Sequence, residues 1–373
     1  MREQPKRILH VVRAMNCGGV ETWLMHALRH MNPSRVRMDF LVHCAGEYDE
    51  EIRTLGGRLI PCSHPLWSPA YRRSVGAAVR QFGPYDVFHS HVHHFSGYLL
   101  HLARRFGVPV RIAHSHSDTS RIDRSAGWTR RCYLRAVDRA IQANATCLAA
   151  VSRPAARALF GEGWQADSRS RLVYCGIDLA PFRPAVDRRA VRAMWRIGES
   201  ELVIGHVGRF VPQKNHSLLI QVAAELMGRR PGTRLLLVGD GPLRGPIQEQ
   251  ARDLGIADRV GFAGSRGDVP QLLGAMDVLL FPSECEGLPL AVLEAQAAGL
   301  PCVISDVITD EADVVPELIR RVPLAQEAKQ WAAAVLGAGE RPVVSPGEAF
   351  RRVEQSSFNI SNSIDQLYAL YDA

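Results

Sequence analysis

The sequence predicts an α/β protein of two doubly wound, Rossmann-like domains that face each other across a cleft. Three observations predict it. Short apolar runs alternate with helix-period segments along most of the 373 residues, the pattern of buried parallel strands joined by crossover helices. The second half repeats the plan of the first. A chain of this length with 46% apolar residues also has enough material for two cores of ordinary size, where a single one would be stretched.

In the first half RILHVV, MDFLVH, YDVFHS, PVRIAHS, CLAAVS and RLVYCG read as strands, with VETWLMHALRHM and SGYLLHLARRFG as helices between some of them. In the second half LVIGHVG, TRLLLVGDG, RVGFAG, VLLFPS and PCVISD read as strands. They alternate with helices in NHSLLIQVAAELMG, PIQEQARDLG, VPQLLGAMD and PLAVLEAQAAG. The junction is IDLAPFRPAVD, residues 177–187, where Pro181 and Pro184 interrupt the pattern before a charged helix. The expected domains are therefore 1–178 and 179–345, followed by a segment 346–373 that ends in the amphipathic stretch NSIDQLYALYD.

Composition narrows the function. Residues 1–180 hold 25 Lys and Arg against 14 Asp and Glu, and 12 of the 14 histidines, so the first half is basic. That charge is either a solvated arginine-rich surface or an attraction to anionic lipid or phosphate. Nucleic acid ranks below both, because zinc-finger spacing, RNP aromatics and a helix-turn-helix are all missing. Eight cysteines without a CxxC or a tight cluster point to reduced thiols, with neither a disulfide framework nor a zinc site. No apolar run reaches the length of a membrane span and the amino end does not read as a signal peptide, so the expected location is the cytoplasm.

In open α/β sheets ligands bind beyond the carboxyl ends of the strands, so residues that follow strands are the site candidates. Gly18 and Gly19 open a helix after the first strand. Paired glycines let backbone N–H groups approach an anion, although a tight strand–helix turn explains them equally well. Neither this loop nor VGDGPLRG has the spacing of a dinucleotide fingerprint. After LVIGHVG come Arg209 and Lys214, one of only three lysines beside 42 arginines. A guanidinium fork and a mobile ammonium together suit a diphosphate. At the end of VLLFPS stands ECEGLPLAVLEAQAAGLP, in which Glu286 and Glu294 are eight positions apart. Pro289 suits a first helical turn and Gly299 a terminator, so the helix is predicted to start near Leu288 and run through Ala298. Glu286 then belongs to the loop and Glu294 to the helix. A diphosphate against the helix start near Gly287 and Leu288 would leave Glu294 to accept hydrogen bonds from ribose hydroxyls and Glu286 beside the group on the far phosphate. His89, His91 and His93 alternate in one loop and His114 and His116 in another. A metal site is disfavoured, because no carboxylate or cysteine sits at a supporting spacing. His116 is the preferred substrate contact, with His91 and His114 as the other choices.

GRFVPQKNHS, LLLVGDGP, FPSECEGLPLAVLEAQAAGLP and YCGID resemble the motifs of retaining glycosyltransferases of family four, which have the GT-B fold, in particular the exopolysaccharide or capsular polysaccharide type. The resemblance covers nearly the whole chain and is strongest over residues 171–313. It implies that Arg209 and Lys214 hold the donor diphosphate, that Glu294 binds ribose and that Glu286, the first of the E-x7-E pair, contacts the donor sugar. It further implies that His116 lies near that sugar, that Gly18 and Gly19 face donor phosphate and acceptor, and that Gly264, Ser265 and Arg266 contact the nucleobase. The first domain would recognise the acceptor, the second the nucleotide-sugar, and the terminal helix would cross back onto the first. Cys175 stands where many members carry asparagine, and VITDEADVVPEL lacks the glycine-rich turn of other branches, which leaves sugar specificity open.

The expected reaction is transfer from a nucleotide-sugar, UDP-linked in the first instance, to a lipid-linked or growing glycan acceptor, at the membrane periphery. The resemblance implies metal-independent chemistry, and the chain contains no DxD triplet; no cofactor is expected beyond the donor as co-substrate. The alternatives are an epimerase of the same fold and a non-catalytic UDP-sugar-binding protein. A nicotinamide oxidoreductase would need a phosphate loop that this chain lacks.

Overall fold

The computed structural model describes residues 4–124, 127–183, 185–339 and 344–372. Two compact units emerge: Met1–Gly176 with Ile360–Ala373, and Ile177–Asn359. Pro184, the second of the two junction prolines, lies outside the described residues.

The strands of the first unit are β1 (Lys6–Val12), β2 (Val36–Val42), β3 (Arg58–Pro61), β4 (Val87–Ser90), β5 (Val110–Ser115), β6 (Cys147–Ala150) and β7 (Ser170–Leu172). Among the described residues they form a parallel sheet in the order β3-β2-β1-β4-β5-β6-β7. The second unit holds β8 (Leu202–Val207), β9 (Thr233–Val238), β10 (Val260–Gly264), β11 (Val278–Phe281), β12 (Cys302–Ser305) and β13 (Ile319–Val322), in the order β10-β9-β8-β11-β12-β13. Six strands of each sheet thus share one winding, and the order reverses between β1 and β4 in the first and between β8 and β11 in the second. Such a reversal opens a crevice at the carboxyl ends of the strands.

β3 and β13 were not anticipated. Both are four-residue strands at sheet edges, RLIP and IRRV, and their charges are what an edge carries to discourage further pairing. The interior strands were legible because they are buried on both faces. In the second unit Ile204, Val278, Leu280 and Val303 join one cluster with Leu219, Leu226 and Trp331. Their neighbours Val203, Leu279, Phe281 and Ile304 join another with Leu273 and Val292. Adjacent residues of a strand point to opposite faces, so the two clusters sandwich the sheet. Each fully buried Leu, Ile or Phe contributes about 1.5–3 kcal/mol relative to exposure.

The unit boundaries differ from the expected 178 and 345. Ile177 already pairs with Asn359, and its N–H donates to the Phe358 carbonyl at 2.8 Å, within the second unit. The expected terminal segment from residue 346 divides in two. Helix Pro346–Gln355 is capped by Ser345, buries Ala349 and Val353, and stays with the second unit. Gly299 explains the contact: its φ of +70° ends the preceding helix, and a Cβ there would lie 2.7 Å from the Cα of Pro346. Only helix Ile360–Asp372 joins the first unit. There Ser363 accepts from the Trp23 indole N–H at 2.8 Å and donates to the Tyr174 carbonyl at 2.7 Å, and Lys6 binds Asp372 at 2.8 Å. Among the described residues no helix is long and apolar enough to cross a membrane.

Candidate active site

The crevice residues of the second unit come from four loops tied together through their backbones. After β8, the Phe210 N–H donates to the Asp240 carbonyl (2.9 Å) and the Leu243 N–H returns to the Phe210 carbonyl (3.1 Å). This clasp explains the glycines of VGDGP. Gly241 has φ +155°, and a Cβ on it would lie 2.7 Å from the Phe210 carbonyl oxygen. Gly239, at φ +129°, donates to the Gly264 carbonyl at 2.8 Å, which joins the β10 loop to the group. The Glu284 N–H donates to the Gln213 carbonyl at 2.8 Å and brings in the loop after β11.

That last bond sets the central contact. Lys214 ends the short 3-10 turn Pro212–Lys214, and its Nζ donates to Glu286 Oε1 at 2.6 Å. Both side chains are largely buried, at 15% and 8% exposure. The ammonium also lies 4.7 Å from the centre of the Phe281 ring, a cation–π arrangement. Below it are two histidines that sequence reasoning passed over. His206, on β8, shares a hydrogen bond with the Leu280 carbonyl at 2.9 Å and so closes the gap between β8 and β11. His216 stacks on Phe210 at 4.1 Å. Burial first, then the His216 ring and the Lys214 ammonium, hold His206 well below the usual imidazole range, and burial with the same ammonium brings His216 down to about 4. Both rings are therefore neutral beneath the ammonium. Their signal was position: one lies in the strand before GRF, the other two residues after Lys214.

Arg209 is exposed and its guanidinium has no partner among the described residues. Glu294 lies inside helix Leu290–Ala297, half-buried, with no hydrogen-bond or ion-pair partner among the described residues; burial alone pushes its carboxyl up to about 7. The helix starts two residues later than predicted. Pro289 takes the capping position (φ −82°, ψ 89°) rather than the first turn, and no side chain caps the exposed N–H groups. Gly287 and Leu288 therefore form the approach to the helix. At the end of β10, Gly264 has φ +71°, while Arg266 is forked onto Asp268 at 2.7 and 2.6 Å, with Ser265 between them.

The first unit places histidines at its own crevice. His91 bridges His10 (3.0 Å) and His116 (2.8 Å), and His89 bridges Tyr371 (3.1 Å) and His114 (2.9 Å). Trp23 turns its ring edge to His91 and His114. His10, His89 and His114 are fully buried, while His91 and His116 are partly accessible. Burial brings His10 and His114 down to about 3, and burial with neighbouring rings holds the other three well below the usual range. His10 Nε2 and His116 Nδ1 are buried without a partner among the described residues. The ring nitrogens of His10, His89 and His91, and those of His91, His114 and His116, lie within 4.8 Å of one another, so either trio has the spacing to hold a metal ion. His93 does not join them: it has φ +49° and faces Thr119 at 3.4 Å. Sequence reasoning missed His10, hidden in the apolar run ILHVV, and Tyr371. Gly18 caps helix Gly19–His30 with backbone only, and a Cβ on Gly19 would meet nothing within 4 Å, so the fold itself does not demand glycine there.

Comparison with known proteins finds matches along both units. Residues 187–338 match the family described as Glycosyl transferases group 1, and residues 17–181 match Glycosyltransferase Family 4. The provisionally named glycosyltransferase EpsF of Bacillus subtilis (strain 168) is 40% identical over 348 residues, covering 90% of this chain and 88% of that one. The D-inositol 3-phosphate glycosyltransferase of Mycobacterium tuberculosis (strain F11) is 33% identical over 79% of this chain and 63% of its own. Among solved structures, HepE of Anabaena in complex with UDP and glucose superposes with a TM-score of 0.80 at 19% identity, over 98% of this chain and 99% of that chain. Sucrose-phosphate synthase of Thermosynechococcus elongatus gives 0.80 at 22% identity, over 98% of both. Matched along both units and at high identity over nine-tenths of its length, the chain belongs to glycosyltransferase family 4 and has the GT-B fold.

Proposed function

We propose that the protein moves a sugar from a UDP-sugar to a lipid-linked or growing glycan acceptor, with retention of anomeric configuration and without a divalent ion, as a step of exopolysaccharide or capsular polysaccharide synthesis. The observation that carries this reading is the Lys214–Glu286 pair at the point where the second sheet reverses its strand order. An ammonium has three N–H donors and Glu286 uses one, so two remain for a phosphate oxygen. As the sugar–phosphate bond breaks, negative charge grows on the departing diphosphate. Lys214, Arg209 and the uncapped helix start at Leu290 interact with that charge more strongly than with the ground state, which lowers the barrier. Glu286 keeps the ammonium in place and offers its second oxygen to the sugar. Glu294 accepts from the ribose hydroxyls, and Gly264, Ser265 and Arg266 border the base. In the first unit the partial accessibility of His116 and His91 supports either as the sugar contact over the fully buried His114. Gly19 presents its backbone N–H towards phosphate and acceptor, beside Gly18, whose own N–H is taken by the Asn16 carbonyl at 2.8 Å. Retention rests on the family resemblance, and the UDP preference is supported by HepE, solved with UDP-glucose. We place the enzyme in the cytoplasm, peripheral to an anionic membrane through its basic first unit.

The test is incubation of the purified protein with a panel of UDP- and GDP-sugars, with and without glycan acceptors, followed by NMR of the products, in EDTA and in added magnesium. Acceptor-dependent release of UDP, unchanged by EDTA, with an axial or equatorial linkage matching that of the donor, is the expected result. Consumption of donor without acceptor would assign an epimerase instead, and protection against thermal unfolding without turnover would assign a binding protein.

A further inference from the structure

The transfer chemistry calls on a partly accessible imidazole of the first unit and leaves the rest of the histidine cluster without a task. The cluster follows from strand register. His10 on β1 stands opposite His89 on β4, and Ser90 stands opposite Ala113 on β5, so that His91 comes beside His114. Alternate residues of a strand point to one face, which gathers His10, His89, His91, His114 and His116 over a single side of the sheet. The rings meet accordingly: His114 and His116 have centres 4.0 Å apart, and His89 and His91 4.2 Å. No carboxylate or cysteine sits at a spacing that supports a metal ion, but ligands drawn from two neighbouring strands need no such spacing.

Three of these rings are set as ligands are. One nitrogen from each of His91, His114 and His116 lies within 4.8 Å of the other two. A metal-bound imidazole hands its second N–H to an outer partner, which fixes the ring and its tautomer. Here Nε2 of His91 is bonded to His10 at 3.0 Å, and the His114 ring donates to the Val173 backbone carbonyl. Nδ1 of His91 and Nε2 of His116 remain, 2.8 Å apart. They share one proton. An ion in its place needs the two nitrogens about 3.3 Å apart, each about 2 Å from itself, so the rings have to part by about 0.5 Å. The displaced proton moves to His116 Nδ1, which is buried without a partner among the described residues, and His114 exchanges its bond with His89 for the ion. With imidazoles alone in the set, the site favours zinc over magnesium and calcium, which prefer oxygen ligands. The partial accessibility of His91 and His116 gives the ion a way in and leaves its fourth position to solvent.

We infer that His91, His114 and His116 bind a zinc ion, oriented by His10 and the Val173 carbonyl, and that zinc in this place shuts transfer off by taking the nitrogens otherwise offered to the donor sugar. The ion has no part in the transfer itself. The shut-off rests on the proposed transferase reaction. The site does not, and it is measured without substrate.

The experiment is equilibrium dialysis of the chelator-stripped full chain against zinc, followed by metal analysis, and a parallel titration with cobalt for its visible spectrum. One ion per chain is expected, with the cobalt bands of nitrogen ligation and no thiolate charge-transfer band from the eight cysteines. His91→Gln and His114→Gln should each abolish stoichiometric binding, and His10→Gln should weaken it about tenfold through loss of the outer partner. The exposed pair His64→Gln/His101→Gln should change nothing. Circular dichroism reports which variants are folded, and the cobalt spectrum of the wild type decides the ligands even where a variant is not. In kinetics, zinc should raise KM for the donor, EDTA should restore it, and His10→Gln should need about tenfold more zinc for the same effect. No stoichiometric ion, a thiolate band, or full binding by folded His91→Gln and His114→Gln overturns the site. Transfer that saturating zinc leaves untouched overturns the shut-off. Zinc bound at the histidines of a protein that transfers nothing supports the site and counts against the transferase reading alone.

Discussion

The two units wind their strands in the same order, yet their crevices are furnished in opposite ways. The first gathers five neutral imidazoles, tied ring to ring and backed by Trp23 and Tyr371. The second sets an ammonium against a carboxylate over an aromatic ring, and the exposed Arg209, five positions earlier in the chain, has no partner among the described residues. The same backbone plan therefore supplies a polar but uncharged surface in one unit and fixed charge in the other. Sugar hydroxyls need directional hydrogen bonds and little charge, and a diphosphate needs cations. The difference teaches that the fold supplies the location of a site and the loops supply its chemistry.

The contrast can be broken most severely at Lys214. Lys214→Ala and Glu286→Gln should each lower turnover by roughly 10²–10³-fold, the range for loss of one preorganised charge contact. Lys214→Ala should also lower Tm, because it leaves Glu286 buried without its partner; steady-state kinetics and calorimetry measure both. Near-normal turnover in either variant would refute the charged half of the comparison.

Acid should separate the units next. A histidine whose pKa is lowered on folding contributes stability that is complete above its unfolded value of 6.5 and is lost as pH falls towards the folded value. For His10 and His114 that window runs from 6.5 to about 3, and His89, His91 and His116 are shifted the same way. The second unit has two such rings, His206 and His216. Hydrogen exchange at falling pH should therefore show the first unit opening before the second. The reverse order would contradict the neutral cluster.

Arg209→Ala gives a smaller change, and one of a different kind. Because the guanidinium is exposed and has no partner among the described residues, stability should hold to within about 0.5 kcal/mol. The dissociation constant for UDP should rise about tenfold by calorimetric titration. A loss of stability would mean that the residue holds the loop rather than the ligand. The smallest effect belongs to Glu294. Its carboxyl is raised to about 7 by burial, and hydrogen bonds from ribose hydroxyls favour the ionised form. Binding of UDP near pH 7 should then release a fraction of a proton, read as a dependence of the binding enthalpy on the buffer. Glu294→Gln should bind with no such dependence.

How much of this the sequence disclosed follows from what each residue's neighbours allow. The interior strands and the loops after them were legible, since continuous apolar runs ending in Gly, Arg or Pro have few other readings. Lys214 and Glu286 were each selectable from their own loops. Their direct bond was not, because it joins positions 72 residues apart that only the sheet order brings together. His10 escaped notice in an apolar run that reads as core, and β3 and β13 were hidden by the charges that protect an edge. The helix start slipped by two residues because a proline at the cap and a proline in the first turn leave the same sequence trace.

Helix Ile360–Asp372 makes the first unit discontinuous, with roughly 180 residues inserted between Gly176 and its return. On a ribosome adding about 5–20 residues per second, the first sheet must wait some 10–40 s before Ser363 and Tyr371 arrive to bond Trp23 and His89. The later-made unit is the one with an uninterrupted course, so it is free to complete its tertiary structure while its elder neighbour is still missing a piece. Birth order and maturation order are thereby inverted.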